Sequence, residues 1–193
     1  MRSRGEGSGS SSRREKVSLK VIEQALGKRV VGGSILYFDE IASTNSEAKK
    51  LAEEGAVEGT TVIAGTQSAG RGRLGREWFS PRGGVWMSII LRPSSLRPVQ
   101  RLALLAGLSV ARTLRELHGI DAKLKWPNDV IVGGKKICGT LTEGSFEAEA
   151  PLFVIVGIGL NANVDPESFP QELKAEATSI RKLLGQDVSL NEL

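Results

Sequence analysis

The chain is poor in the side chains that most often carry nucleophilic or metal chemistry. Its 193 residues include one cysteine, Cys138, and one histidine, His118. Neither a disulfide framework nor a zinc cluster nor a Cys–His pair can be assembled within one copy. Chemistry must come from Lys, Arg, Asp, Asn and backbone groups. No apolar run approaches the roughly 18 residues of a membrane span, and the charged N-terminus lacks the apolar core of a signal peptide. A cytoplasmic enzyme with no membrane partner is expected.

A broad basic surface is missing as well. The net charge is +4, but Arg2, Arg4, Arg13, Arg14 and Lys16 against Glu6 and Glu15 supply +3 of it, leaving 21 basic and 20 acidic residues elsewhere. A nearly neutral body argues against DNA binding.

What remains is ordinary for a globular protein, with 40% hydrophobic and 25% charged residues. Residues 1–15 are rich in Gly, Ser and Arg and are expected to be a disordered tail. Residues 16–193 are expected to form one domain. Helical spacing of apolar residues from Val17 to Leu26, before Gly27, predicts a short packing helix. ILYF at 35–38 predicts a strand. Thr44 followed by Glu47 fits a capping box opening a helix with Ala48 and Leu51 buried, closed by Gly55. TTVIAGT at 60–66 and GGVWMSIILRP at 83–93 predict strands, with Trp86 and Ile89 facing the core. A long helix is predicted from Pro98 to Leu117, with Leu102, Leu105, Ala106, Ser109, Val110 and Leu117 inward and His118 at its C-terminal end. Residues 122–144 read as two strands joined at Gly133-Gly134. A buried strand opens at 152, a short helix covers 177–185, and SLNEL at 189–193 looks like the start of another helix.

Two constellations carry chemistry. GTQSAGRGRLGREWFS at 65–80 delivers Arg71, Arg73 and Arg76, each able to fork onto phosphate or carboxylate, on a glycine-loosened backbone. Trp78 offers a purine a stacking surface or anchors the base of the loop. Gly70, Gly72 and Gly75 satisfy GxGxxG, yet Pro81, Gly83 and Gly84 interrupt the helix a dinucleotide fold requires, and residues 86–100 hold no acid. No GxxxxGK[ST] is present either. The second constellation is KWPND at 125–129 with KKICG at 135–139. It sets Asp129 beside Lys125 and returns Lys135 and Lys136 to the same edge.

STN at 43–45, the loop at 65–78, KWPND, KKICG and GIGLNAN at 157–163 together resemble biotin protein ligases, with five motifs in the family's order across roughly residues 35–185. The resemblance implies an α+β fold, a mixed β-sheet flanked by helices and related to class II aminoacyl-tRNA synthetases. It implies a two-step reaction in which biotin and MgATP give biotinyl-5′-AMP, followed by transfer of biotin to a lysine of a biotin carboxyl carrier protein. The ligands implied are biotin, ATP and Mg2+, with no residue assigned as a metal ligand.

Carried over, Ser43, Thr44, Asn45 and Gln67 match biotin contacts, and Arg71, Gly72 and Arg73 match the loop over biotin and adenylate. Gly70 and Trp78 join the ligand-binding set. Lys136 matches the lysine at the biotin carboxylate and α-phosphate. Lys125, Asn128 and Asp129 match the nucleotide and metal side, with Asp129 also placed to receive the acceptor lysine's proton. Gly139 and Gly157 would line the pocket. Residues 1–34 are too short for the family's N-terminal helix-turn-helix domain, and its C-terminal β-barrel is expected to be absent, so a truncated form or a minimal enzyme is expected and repressor activity is not. A homodimer is allowed. A lipoate-type ligase on the same fold, a binding module with little turnover and a basic-loop nucleic-acid binder are the alternatives.

Overall fold

The computed structural model describes residues 17–26, 29–95, 99–147 and 150–193. The expected tail at 1–15, Gly27 and Pro98 lie outside these. Strands β1 (Ser34–Ile41), β2 (Thr60–Gln67), β3 (Val85–Leu91), β4 (Lys123–Lys125), β5 (Asp129–Val132), β6 (Lys135–Glu147) and β7 (Ala150–Leu160) form one sheet in the order β1-β2-β3-β7-β6-β5-β4. Helices are α1 (Leu19–Leu26), α2 (Thr44–Glu53), α3 (Val99–His118), α4 (Gln171–Lys174) and α5 (Ile180–Leu184). β1 and β2 are parallel, joined through α2, while the other neighbours are antiparallel. This is the expected α+β mixed sheet.

Side chains alternate across the sheet and divide the core in two. Val62, Ile90, Phe153 and Ile155 pack beneath Ala48 and Ala52 of α2. Val130, Cys138 and Ile158 pack on the opposite face against Ala111 and Leu114 of α3. Arg92 fixes the C-terminal end of α2, donating to the carbonyls of Ala52, Ala56 and Leu152. These charge-assisted bonds tie the last turn of α2, the residues just after it and β7 together, and so hold the N-terminal end of α2 over the middle of the sheet.

Trp86 and Ile89 both face the core as expected, Trp86 fully buried and Ile89 partly buried against the α3 core on the opposite face, since residues three apart on a strand point oppositely. Several other expectations are corrected. In α3, Leu105 and Leu117 are about half exposed and Ser109 is exposed, while Ala111 and Leu114 are buried. That helix carries leucines nearly all round, so periodicity alone could not select its inner stripe. The N-cap of α2 is Ser43, whose Oγ accepts from the Ser46 amide, one residue before the expected Thr44. Residues 122–144 hold three strands rather than two, because β4 turns back at Trp126–Asn128 before the hairpin of β5 and β6. Gly133 and Gly134 have φ of 56° and 81°, the left-handed pair that a two-residue hairpin turn of this type requires. α1 buries no residue completely, and residues 189–193 form a turn rather than a helix.

Candidate active site

The face of the sheet under α2 is nearly bare where β3, β7 and β6 meet. Ser88 is the register partner of Gly157 and Gly139 that of Gly159, the two pairs lying two residues apart along β7. Their smallness is required. A Cβ at Gly157 would lie 2.1 Å from Asn45 Oδ1, and one at Gly159 would lie 2.4 Å from the Trp78 indole nitrogen. Above this floor is a cavity of about 720 Å³, lined by residues of all five sequence motifs. A second cavity of about 750 Å³ opens on the other face, between α1, β1–β3 and residues 187–193. It is walled largely by apolar side chains and takes only Gly65 and Asn163 from the motifs, neither of them a residue matched to a ligand contact, so the chemistry belongs to the first.

One end of the site is neutral and buried. Gln67 Oε1 accepts from the Thr44 amide and hydroxyl at 2.8 and 3.0 Å, and Gln67 Nε2 donates to Ser80 Oγ at 2.7 Å. Ser88 Oγ lies 2.8 Å from Thr44 Oγ1 and 2.6 Å from Asn45 Oδ1. Ser43, Thr44, Asn45, Ser80 and Ser88 are all buried. Ser43 thus serves the helix cap while lining the cavity.

The arginine loop is a small hairpin. Gly72 donates to Arg76, Arg76 to Arg73, Trp78 to Gly70 and Gln67 to Ser80 through the backbone. Its tip exposes Leu74, which adopts φ 58°. Gly70 sits behind the cavity rather than in its wall, where a Cβ would come within 2.3 Å of the Trp78 carbonyl. Arg71 turns toward the sheet and pairs with Glu143 at 2.7 Å. Arg73 crosses the mouth and donates to Asn128 Oδ1 at 3.2 Å, while Asn128 Nδ2 holds the Thr140 carbonyl at 2.7 Å.

The other end is cationic. Lys136 Nζ is 2.7 Å from Asp129 Oδ1 and 4.8 Å from the centroid of the Trp78 ring. Lys125 is the register partner of Asp129 but is exposed; the ion pair of Asp129 is with Lys136 instead. Lys136 reaches this face through a break in pairing. Asp129 pairs with Gly139 and Val130 with Cys138, yet Ile131 pairs with Lys136, so the step between them absorbs Ile137. Without that bulge, Lys136 and Gly139, three residues apart, would face opposite sides of the sheet. His118 ends α3, as expected for a residue at the helix C-terminus.

The cavity therefore gathers Ser43, Thr44, Asn45, Gln67, Arg71, Gly72, Arg73, Trp78, Lys125, Asn128, Asp129, Lys136, Gly139 and Gly157. Gly159, read from the sequence as a small residue allowing close approach, lies on the floor beneath Trp78. Sequence reasoning missed Ser88, Ser80 and Glu143. Alternation along β6 from Gly139 would have placed Glu143 on this face, and alternation along β3 from Trp86 would have placed Ser88 there.

The sequence profile of the biotin/lipoate A/B protein ligase family matches residues 37–161. The chain belongs to this family. It is 44% identical over 175 residues to the bifunctional ligase/repressor BirA of Bacillus subtilis, covering 90% of the chain and 54% of that protein. It is 40% identical to a biotin–[acetyl-CoA-carboxylase] ligase of Paracoccus denitrificans, over 65% of the chain and 53% of that protein. The Aquifex aeolicus biotin protein ligase, solved in complex with biotin and ATP, superimposes with a TM-score of 0.71 at 37% identity, covering 83% of the chain and 65% of that structure. The chain spans about half the length of these sequence relatives. The lining of this cavity suits a ligand that is neutral and hydrogen-bonding at one end and anionic at the other.

Proposed function

We propose that the chain activates biotin with MgATP and transfers it to a lysine of a biotin carboxyl carrier domain in the cytoplasm. The supporting observation is the polarity of one cavity, with the neutral Thr44 and Asn45 buried and Gln67 half-buried at one end and Lys136, Lys125 and Arg73 at the other. Biotin has the same polarity, a ureido ring and a carboxylate separated by an apolar tail. The glycine floor and Trp78 suit that tail.

In the first step a biotin carboxylate oxygen attacks the α-phosphorus, the bond to the β-phosphate bridging oxygen breaks, and pyrophosphate leaves. The charge is anionic throughout, so positioning and cations are what the site must supply. Lys136 answers the carboxylate and the equatorial phosphate oxygens, moving between them and Asp129. Arg73 and Asn128, already bonded across the mouth, close over the adenylate. In the second step the acceptor amine attacks the acyl carbon, AMP leaves, and Asp129 takes the amine's proton.

Among the described residues no three His, Cys, Asp or Glu side chains cluster as a metal cage. Mg2+ bound mainly by substrate phosphates and water, with one carboxylate from the protein, fits Asp129. Among the described residues no helix is long and apolar enough to cross a membrane.

Incubation with MgATP and either biotin or lipoate, followed by mass spectrometry, tests the reading. Biotinyl-AMP and a labelled carrier lysine are expected. Lipoyl-AMP alone would assign the chain to the lipoate branch, and biotin binding without adenylate would reduce it to a binding module.

A further inference from the structure

Glu143 lies on β6 behind the neutral strip and belongs to none of the recognised motifs. We propose that it is a positioning residue whose carboxylate sets the direction of the hydrogen bonds in that strip and so leaves an acceptor for a ligand N–H. The inference rests on the reading that biotin's ureido group lies against Thr44, Asn45 and Gln67.

A carboxylate only accepts hydrogen bonds. Glu143 Oε1 accepts from Arg71 Nη2 at 2.7 Å and Oε2 from Asn45 Nδ2 at 2.8 Å. The Asn45 amide therefore turns its NH2 toward β6 and its Oδ1 toward β3, where Ser88 Oγ lies 2.6 Å away. Ser88 has one proton, and Asn45 Oδ1 takes it. The Thr44 hydroxyl has two acceptors for its own proton, Gln67 Oε1 at 3.0 Å and Ser88 Oγ at 2.8 Å, and the Gln67 NH2 is held by Ser80, which in turn donates to the Trp78 carbonyl at 2.9 Å. Whichever of the two Thr44 serves, Glu143 has fixed the Asn45 amide and with it the Ser88 proton, which points away from Thr44. Thr44 Oγ1, which faces the cavity, keeps lone pairs with no donor aimed at them. A ligand group placed there must bring an N–H, as a ureido ring does.

The direction is costly to reverse because Thr44, Asn45 and Ser88 are all buried, with no water to satisfy a misdirected group. Glu143→Gln tests this with almost no change in shape. If the glutamine oxygen stays with Arg71, its NH2 meets Asn45, whose amide must turn over. Asn45 Nδ2 then faces Ser88, and the Ser88 proton moves onto Thr44 Oγ1, filling the acceptor.

The experiment measures biotin affinity by calorimetry and the rate of biotinyl-AMP formation at saturating biotin and MgATP, for wild type, Glu143→Gln and Glu143→Asp. Glu143→Gln should weaken biotin binding about tenfold, the effect of one misdirected buried hydrogen bond, with the saturated rate unchanged. It should also narrow the preference for biotin over biotin methylated on a ureido nitrogen. Glu143→Asp, shorter but still an acceptor, should bind biotin more tightly than Glu143→Gln. A packing role predicts the opposite order, since glutamine is the better fit. Equal affinity for Gln and wild type, or Gln ranking above Asp, overturns the proposal. A wild-type chain that neither binds biotin nor forms the adenylate overturns the functional reading itself, and this assignment with it.

Discussion

The two ends of the cavity are built on opposite principles. At the neutral end, Thr44, Asn45, Gln67, Ser80 and Ser88 are bonded to one another and mostly buried. At the cationic end, Lys125 and Arg73 are exposed, and Lys136 is held by a single carboxylate at 2.7 Å. The difference follows from solvation. Neutral groups hold their direction cheaply once desolvated, whereas unpaired charges must stay wet until an anion arrives. Recognition is thus fixed in advance at one end and completed by the ligand at the other.

Removing the charge at the reacting centre should separate the ends most sharply. Lys136→Ala is expected to slow biotinyl-AMP formation on the order of 10²–10³-fold, the usual effect of deleting one group aimed at developing charge, while biotin affinity changes less. Single-turnover kinetics read the first and calorimetry the second. If both fell together, the two ends would not be separable. Gly157→Ala attacks the other end, since its Cβ would stand 2.1 Å from Asn45 Oδ1. It should weaken biotin binding at least tenfold and destabilise the fold by about 1–3 kcal/mol, the range for overpacking. Thermal unfolding with and without biotin separates those effects. Arg73→Gly removes the bond to Asn128 across the mouth and should release biotinyl-AMP severalfold faster, detected as unselective labelling of nearby lysines.

The smallest effect belongs to Cys138, which looks away from the site into the α3 core. Burial pushes its thiol up from 9.0 to about 12. The unfolded chain ionises near 9.0 while the folded one does not, so the folded state should lose stability as pH rises from 9.0 toward about 12. Below that window, thiol reagents should leave the folded protein unlabelled and its activity unaltered.

The strands and the motif residues were legible because each is a local pattern. β2, β3 and the start of β7 announce themselves by β-branched runs, and STN, KWPND and KKICG keep their spacing wherever the chain leads. The contacts were not legible in the same way. Asn45 and Glu143 are separated by 98 residues, and Arg71 and Glu143 by 72. Leu105, Ser109 and Leu117 of α3 failed as inward residues for a simpler reason, since leucines stand nearly all round that helix and periodicity alone does not select its inner stripe. Ser43 replaced Thr44 as cap because both can serve and only the chain's entry angle decides.

The bulge at Ile137 has a consequence for how this site can change. Substituting residues around it alters what stands at a position, but the side on which the position 136 ammonium emerges depends on the number of residues between Ile131 and Cys138. Lengthening or shortening that stretch by one would carry the ammonium through the sheet to the α3 side, leaving every motif spelled almost as before. The reacting centre is therefore guarded by a count as much as by an identity, and a comparison of residue types alone would not register its loss.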